Sequence, residues 1–267
     1  MKVHDKVFLV TGAGSGIGRE LVLHLLSKGA RVAGVDLNPK ALQETEGLAE
    51  SHKTRFASFV ANISDRPAVD ALPAQVLARF GCVDGIINNA GIVQPFARIC
   101  DLDFPVIERV FNVNLMGTLY MIKAFLPHLL QRPEAHLVNI SSMGGFVPVP
   151  GQTIYGAAKA AVKLMSEGLS SELIHTNVHV TVVFPGAVAT NILTNSDVSA
   201  PRKSGQKGTM KALPPSKAAQ IIVRGIERDA FQVFVGKDAM LMDKLYRLNP
   251  AFAARTIAKK MNALLPA

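Results

Sequence analysis

Residues 11–18 read TGAGSGIG, between an apolar run, KVFLVTG (6–12), and a helical pattern over 17–28. Glycine is required where a backbone must turn sharply or approach a ligand with no Cβ in the way. The N–H groups that open a helix, with the partial positive charge of its first turn, favour an anion such as a pyrophosphate. The literal G-x-G-x-x-G string is absent. Gly12, Gly16 and Gly18 form a T-G-x-x-x-G-x-G variant, with Ser15 and Ile17 inside it. Such a turn also serves strand–helix packing, so its neighbours decide its meaning.

The next apolar run, RVAGVD (31–36), ends on Asp36, twenty residues after Gly16 and just before Leu37. A carboxylate there accepts hydrogen bonds from an adenosine ribose and repels a 2′-phosphate. No Arg or Lys lies within the turn or directly after Asp36, so NAD(H) is expected in preference to NADP(H).

Further runs follow at 55–61, 83–91, 136–142, 178–186 and 232–236. Most are apolar without alternation, as strands buried on both faces are. Helical patterns separate them at 39–50, 66–80, 104–131, 153–175 and 215–228. This β-α-β order predicts an α/β fold: one Rossmann-type, doubly wound parallel sheet of about seven strands with helices on both faces. A single catalytic domain over 1–236 is expected. Residues 191–217, with three prolines and little apolar periodicity, read as a mobile substrate loop.

The 267 residues are 49% hydrophobic, enough for one sizeable core, and no apolar run is long enough to span a bilayer. The amino end enters a strand without a cleavage site, and Cys82 and Cys100 offer neither a disulfide framework nor metal spacing. A cytoplasmic setting and no metal are expected. His175 and His179 straddle a helix end and a strand start without a carboxylate, which argues against a metal pair. The net charge of +9 invites a nucleic-acid reading, but 6% aromatics and no Trp leave few stacking platforms, so no nucleic acid is expected.

The stretch YGAAK places Tyr155 and Lys159 at i and i+4 on one helical face. A phenol ionises near pH 10, and a neighbouring ammonium favours the phenolate and lowers that value. Small residues between them leave room for a cofactor. Thirteen residues before Tyr155, Ser142 closes a strand run, where open α/β sheets bind ligands. Ser141 is the adjacent alternative.

Together these segments resemble the short-chain dehydrogenase/reductase family over nearly the whole chain. TGAGSGIG resembles its cofactor turn, and NNAG (Asn88, Ala90 and Gly91 among them) its motif beside the adenine ribose. Asn114 in NVNLMG matches the catalytic asparagine, which supports a water in a proton relay to the lysine. Ser142, Tyr155 and Lys159 match the remaining catalytic positions. PGAVAT resembles the segment holding the nicotinamide carboxamide, through Pro185, Gly186, the Val188 backbone and the Thr190 hydroxyl. Where the family often has an aspartate after the third strand, this chain has Asn62 followed by Ile63, and an amide carbonyl still accepts from adenine. The resemblance implies concerted chemistry, with Tyr155 taking an alcohol proton as hydride moves to the nicotinamide.

Ile92, Val93, Pro95, Met143, Phe146 and Val147 are expected around a hydrophobic secondary alcohol or ketone. The alternative is an NADP(H)-dependent carbonyl reductase of an acyl-thioester or other anion drawn by Arg202, Lys203, Lys207, Lys211 and Lys217. A regulator using the fold as a redox sensor is disfavoured because Tyr155 and Lys159 are both present. The tail 237–267 reads as a basic amphipathic helical extension, with Leu241, Leu245, Leu248 and Phe252 on one face and Lys244, Arg247, Arg255, Lys259 and Lys260 outside it. Ile257, Met261, Leu264 and Leu265 continue the apolar pattern. Peripheral contact with an anionic membrane, cover for the pocket and packing in a homo-oligomer (dimer or tetramer) are its three readings.

Overall fold

The computed structural model describes residues 1–198 and 212–261. Seven parallel strands form one sheet in the order β3-β2-β1-β4-β5-β6-β7. They are β1 (Val7–Thr11), β2 (Arg31–Asp36), β3 (Phe56–Val60), β4 (Gly85–Asn88), β5 (Ala135–Ile140), β6 (Val178–Pro185) and β7 (Gln232–Val235). The chain builds outward from β1 to β3, then crosses to β4 beside β1 and builds the other way. That reversal leaves a crevice at the carboxyl ends of β1 and β4, where such sheets bind ligands.

Helices α1 (Gly16–Ser27), α2 (Pro39–Leu48) and α8 (Pro215–Ile226) cover one face, and α3 (Arg66–Phe80), α5 (Thr118–Leu129) and α6 (Thr153–Glu172) the other. Strand β1 explains the unbroken apolar runs. Phe8 and Val10 enter the core under α1 and α8, while Val7 and Leu9 enter the one under α3 and α5. With both faces covered, the four positions from Val7 to Val10 are all apolar.

The helix expected over 104–131 is interrupted. Helix α4 (Phe104–Phe111) passes through a π-helical turn (Asn112–Gly117) before α5 resumes. Such turns leave one extra residue in the helix and favour functional positions, and here the turn carries Asn114. The pattern over 39–50 also ends early, at Leu48, before a 3₁₀ segment over Glu50–Arg55.

The substrate loop falls partly on 199–211, outside the described residues, as do Arg202, Lys203, Lys207 and Lys211. At its ends stand a short helix, α7 (Ile192–Asn195), and a bridge between Val188 and Leu213. The tail forms α9 (Lys237–Leu248) and α10 (Pro250–Met261), while Leu264 and Leu265 lie outside the described residues. Helix α9 is tied to the domain, since the Asp238 carboxylate accepts from the Ala187 N–H at 2.7 Å. Met240, Leu241, Leu248 and Phe252 are exposed. No described helix is long and apolar enough to cross a membrane.

Candidate active site

A cleft of about 770 Å³ opens over the carboxyl ends of the central strands. Its floor is the glycine turn. Gly12 has φ +68°, and a Cβ there would lie 2.9 Å from the Asn89 amide nitrogen. At Gly18 a Cβ would lie 1.9 Å from the Gly12 carbonyl oxygen, so only glycine lets α1 start so close to β1. Gly18 therefore serves packing and stands off the cleft, while Gly12, Ser15, Gly16 and Ile17 line it. Thr11 pins the turn to the next strand, its hydroxyl accepting from the Asn89 and Ala90 N–H groups at 3.0 Å each.

Asp36 sits at one end of the cleft with Leu37. Its carboxylate accepts from the Gly14 N–H and the Asn38 N–H, both at 2.9 Å. The cation next to the turn, Arg19, is already partnered, donating to the turn's own Gly14 carbonyl at 2.5 Å. Its guanidinium meets the Glu44 carboxylate at 2.6 Å and donates to the Thr45 hydroxyl at 3.1 Å. Asn62 and Ile63 also line the cleft, but the Asn62 carbonyl oxygen already accepts from the Ser64 N–H and hydroxyl, at 3.0 and 2.8 Å. Asn62 thus stands in the cleft at a local turn closed by Ser64.

Ala90 and Gly91 line the cleft; Asn88 does not. Its side chain points into the sheet and donates to Asn139 at 2.8 Å, and Asn139 donates to Ser166 on α6 at 2.9 Å. Asn88 therefore joins β4, β5 and α6 beneath the site. Pro185, Gly186, Val188 and Thr190 complete the far wall.

Tyr155 and Lys159 enter from the first turns of α6 and share a wall with Ser142. A Cβ on Gly144 would lie 3.5 Å from Ser142 Oγ and 3.6 Å from the Tyr155 ring, so both side chains stand beside that glycine, and Ser142 Oγ accepts from the Gly144 N–H at 3.0 Å. Ser141 is the structural one of the pair, its buried hydroxyl donating to the Lys159 carbonyl at 2.8 Å. Lys159 Nζ lies 6.0 Å from the Tyr155 ring centre and donates to the Ile140 carbonyl at 3.0 Å. Asn114 is buried behind this wall. Its amide donates to the Ile92 carbonyl at 2.9 Å and accepts from the Ile92 N–H at 3.2 Å. A Cβ on Gly91 would lie 2.6 Å from Asn114 Oδ1 and 3.2 Å from Lys159 Nζ, so asparagine and lysine meet at a residue with no side chain.

One electrostatic expectation is reversed. Burial pushes the Tyr155 phenol above its ordinary value, and the neighbouring Ser142 side chain pulls it part of the way back. Burial also lowers the Lys159 ammonium to about 8. Desolvation opposes the charged form of both groups, and spacing along a helix carries no information about it.

Among the described residues, the apolar wall holds fewer of the expected side chains. Ile92 and Val93 line the cleft, joined by Ile192 of α7. Val147 is buried, and Phe146 packs edge-on against Phe184 and Phe234 at 5.4 and 6.2 Å between ring centres, an aromatic cluster rather than a substrate contact. Sequence reasoning missed the polar residues at the mouth. Asn195 donates to the Ser15 hydroxyl at 2.8 Å, laying α7 across the glycine turn, and Arg109 meets Asp197 at 3.3 Å. It also missed Gln94, buried between Val93 and Pro95. The one signal for it is indirect: Gln152, before α6, is a poor capping residue, so the helix needs an acceptor from elsewhere.

Sheet and cleft together form a Rossmann-type architecture whose cleft opens over a glycine turn. The short chain dehydrogenase family model matches residues 6–200. The chain is 35% identical over 268 residues to a Mycobacterium tuberculosis protein named as an oxidoreductase, SadH, covering 98% of this chain and 97% of the relative. A short-chain dehydrogenase/reductase of Burkholderia phymatum, solved in complex with NAD, superposes with a TM-score of 0.84 at 24% identity, over 94% of this chain and 96% of its own. A 3-ketoacyl-(acyl-carrier-protein) reductase of Brucella melitensis, complexed with NADH, has a TM-score of 0.77 at 27% identity, over 88% and 99%. The chain belongs to the short-chain dehydrogenase/reductase family.

Proposed function

We propose that this protein interconverts a hydrophobic secondary alcohol and its ketone by NAD(H)-dependent hydride transfer, with Tyr155 as general acid and base. One observation carries the reading. The Tyr155 phenol, the Ser142 hydroxyl and the Lys159 ammonium share a wall of the cleft whose floor is the glycine turn. Ser15, Gly16 and Ile17 bring the start of α1 to that floor, and the unpartnered N–H groups of a helix start suit a pyrophosphate. The dinucleotide, when bound, supplies the hydride acceptor or donor.

The chain supplies the rest. Ser142 Oγ holds the substrate oxygen, and Tyr155 gives a proton to the ketone or removes one from the alcohol. Burial keeps the phenol protonated at neutral pH, the state needed for reduction. Lys159 offers positive charge and a ribose contact, and Asn114 supports the relay behind it. Two features support NAD(H): the Asp36 carboxylate faces the cleft, and Arg19 is held by Glu44. Ile92, Val93 and Ile192 favour a hydrophobic substrate. The proposal includes a homo-oligomer, read by light scattering. It also includes peripheral contact through α9 and α10, whose exposed Met240, Leu241, Leu248 and Phe252 stand among Lys244, Arg255 and Lys259.

A panel of hydrophobic ketones and secondary alcohols, followed by nicotinamide absorbance with NADH and NADPH, tests the reading. Turnover of a hydrophobic ketone with NADH at a higher kcat/KM than with NADPH is expected. No turnover across the panel, or a preference for NADPH, would count against it.

A further inference from the structure

We propose that Gln94 is a positioning residue: reaching from the loop after β4, its side chain caps α6 and sets where Tyr155 stands against Ser142. This deepens the acid/base reading of Tyr155 and rests on it.

A helix leaves its first N–H groups without partners inside the helix. A short polar side chain at the N-cap ordinarily accepts from the second and third of them. The N-cap of α6 is Gln152, which makes no such bond. Its side-chain nitrogen instead donates to the Gln94 carbonyl at 2.8 Å. The N–H groups that need an acceptor belong to Ile154 and to Tyr155 itself. Both meet Gln94 Oε1, at 2.8 and 2.9 Å. Gln94 Nε2 donates to the Gly151 carbonyl at 3.0 Å. Only this amide orientation serves all three partners, because the oxygen faces two donors and the nitrogen an acceptor.

Gln94 has no exposed surface. Water therefore cannot replace these bonds, and a shift of the amide moves the start of α6 with it. The loop is also braced on either side of the site. Both backbone groups of Ile92 bond to the Asn114 side chain, and the Val93 N–H donates to Ser196 at 3.0 Å, just beyond α7. Three consecutive residues thus join Asn114, the segment over the glycine turn and the catalytic helix. A cap that serves stability alone would need none of this register. A cap that holds the tyrosine's own N–H fixes the phenol relative to Ser142.

The test uses the full chain with Gln94→Met, similar in length but without the amide, and Gln94→Glu, whose buried carboxyl, when protonated, both accepts from the two N–H groups and donates to the Gly151 carbonyl. Three quantities are read: NADH affinity by fluorescence, kcat on the best substrate of the panel, and the ionisation of Tyr155. The last is the tyrosinate titration of each variant minus that of the same variant carrying Tyr155→Phe. In Gln94→Met we expect NADH affinity within about twofold of wild type, a kcat lower by about tenfold or more and a displaced Tyr155 midpoint, since small misplacements of a reacting group cost that much. Gln94→Glu should recover most of the kcat. A Gln94→Met protein whose Tyr155 titration and kcat match wild type overturns the proposal, however much its melting temperature falls. So does a parallel loss of NADH affinity and kcat. Should Gln94→Met fail to fold, Gln94→Asn, one methylene too short to reach both donors, carries the same outcomes. Turnover retained by Tyr155→Phe alone would instead sink the acid/base reading and leave the titration interpretable.

Discussion

The two ends of the sheet each bury a charge, and they treat it in opposite ways. At the amino end, Asp84 is 1% exposed. One carboxylate oxygen accepts from the Val7 N–H at 2.8 Å and the other meets Arg132 Nε at 2.8 Å. The same contact raises the Arg132 guanidinium. At the carboxyl end, Lys159 is 4% exposed and, among the described residues, has one hydrogen bond, to Ile140. Its remaining donor capacity faces the cleft, and burial lowers it to about 8. A fully partnered charge ties strands together; an under-partnered one beside a cleft is available to a ligand.

Tyr155→Phe should produce the largest effect at the carboxyl end. We expect kcat to fall by about 10³-fold, within the range of general acid–base catalysis, with NADH affinity held within about twofold by fluorescence titration. Retained turnover would remove the functional half of the contrast. Asp84→Ala should produce the largest effect at the other end, stranding Arg132 and the Val7 N–H. Urea unfolding should report a loss of about 3 kcal/mol, as for a broken buried pair, while the folded fraction keeps its kcat. A changed kcat at saturating NADH would mean that the two ends are coupled.

The contrast sharpens with pH. Lys159 is lowered from an ordinary 10.5 to about 8 in the folded chain. Below pH 8 both states carry the proton. Between about 8 and 10.5 the unfolded chain binds more of it, so stability rises with pH across that window. Urea unfolding of wild type against Lys159→Met should therefore show the difference moving in favour of wild type as pH rises from 8. A flat difference would show that the ammonium is solvated. The smallest expected effect is at the mouth. Asn195→Ala removes the contact with Ser15 and should weaken NADH by about threefold, roughly the worth of one partly exposed hydrogen bond; unchanged affinity would separate α7 from the glycine turn.

How much was legible follows from how local each cause is. The unbroken apolar runs of β1 and β2 report burial on both faces, so the layered sheet could be read strand by strand. The i, i+4 spacing of Tyr155 and Lys159 is a property of one helix, and α6 preserves it. The π-helical turn around Asn114 was hidden because its residues continue an ordinary helical pattern. Asn88 read as a cleft residue because of its motif, yet it turns inward to Asn139, a partner fifty-one positions away. Gln94 was invisible for the same reason: its partners lie 57 to 61 positions along the chain.

The chain's own pattern determined the alternation of strands and helices, the glycine turn with its acid twenty residues later, and the shared face of the phenol and the ammonium. These depend on hydrophobic periodicity and backbone sterics, which act over a few residues. Tertiary structure alone decided that the Ser141 hydroxyl is tied to the Lys159 carbonyl, which buried amide caps α6, and that desolvation raises the phenol while lowering the lysine. Each of those depends on solvent exclusion and on hydrogen-bond partners from distant segments, and neither exists until the helices close over the sheet.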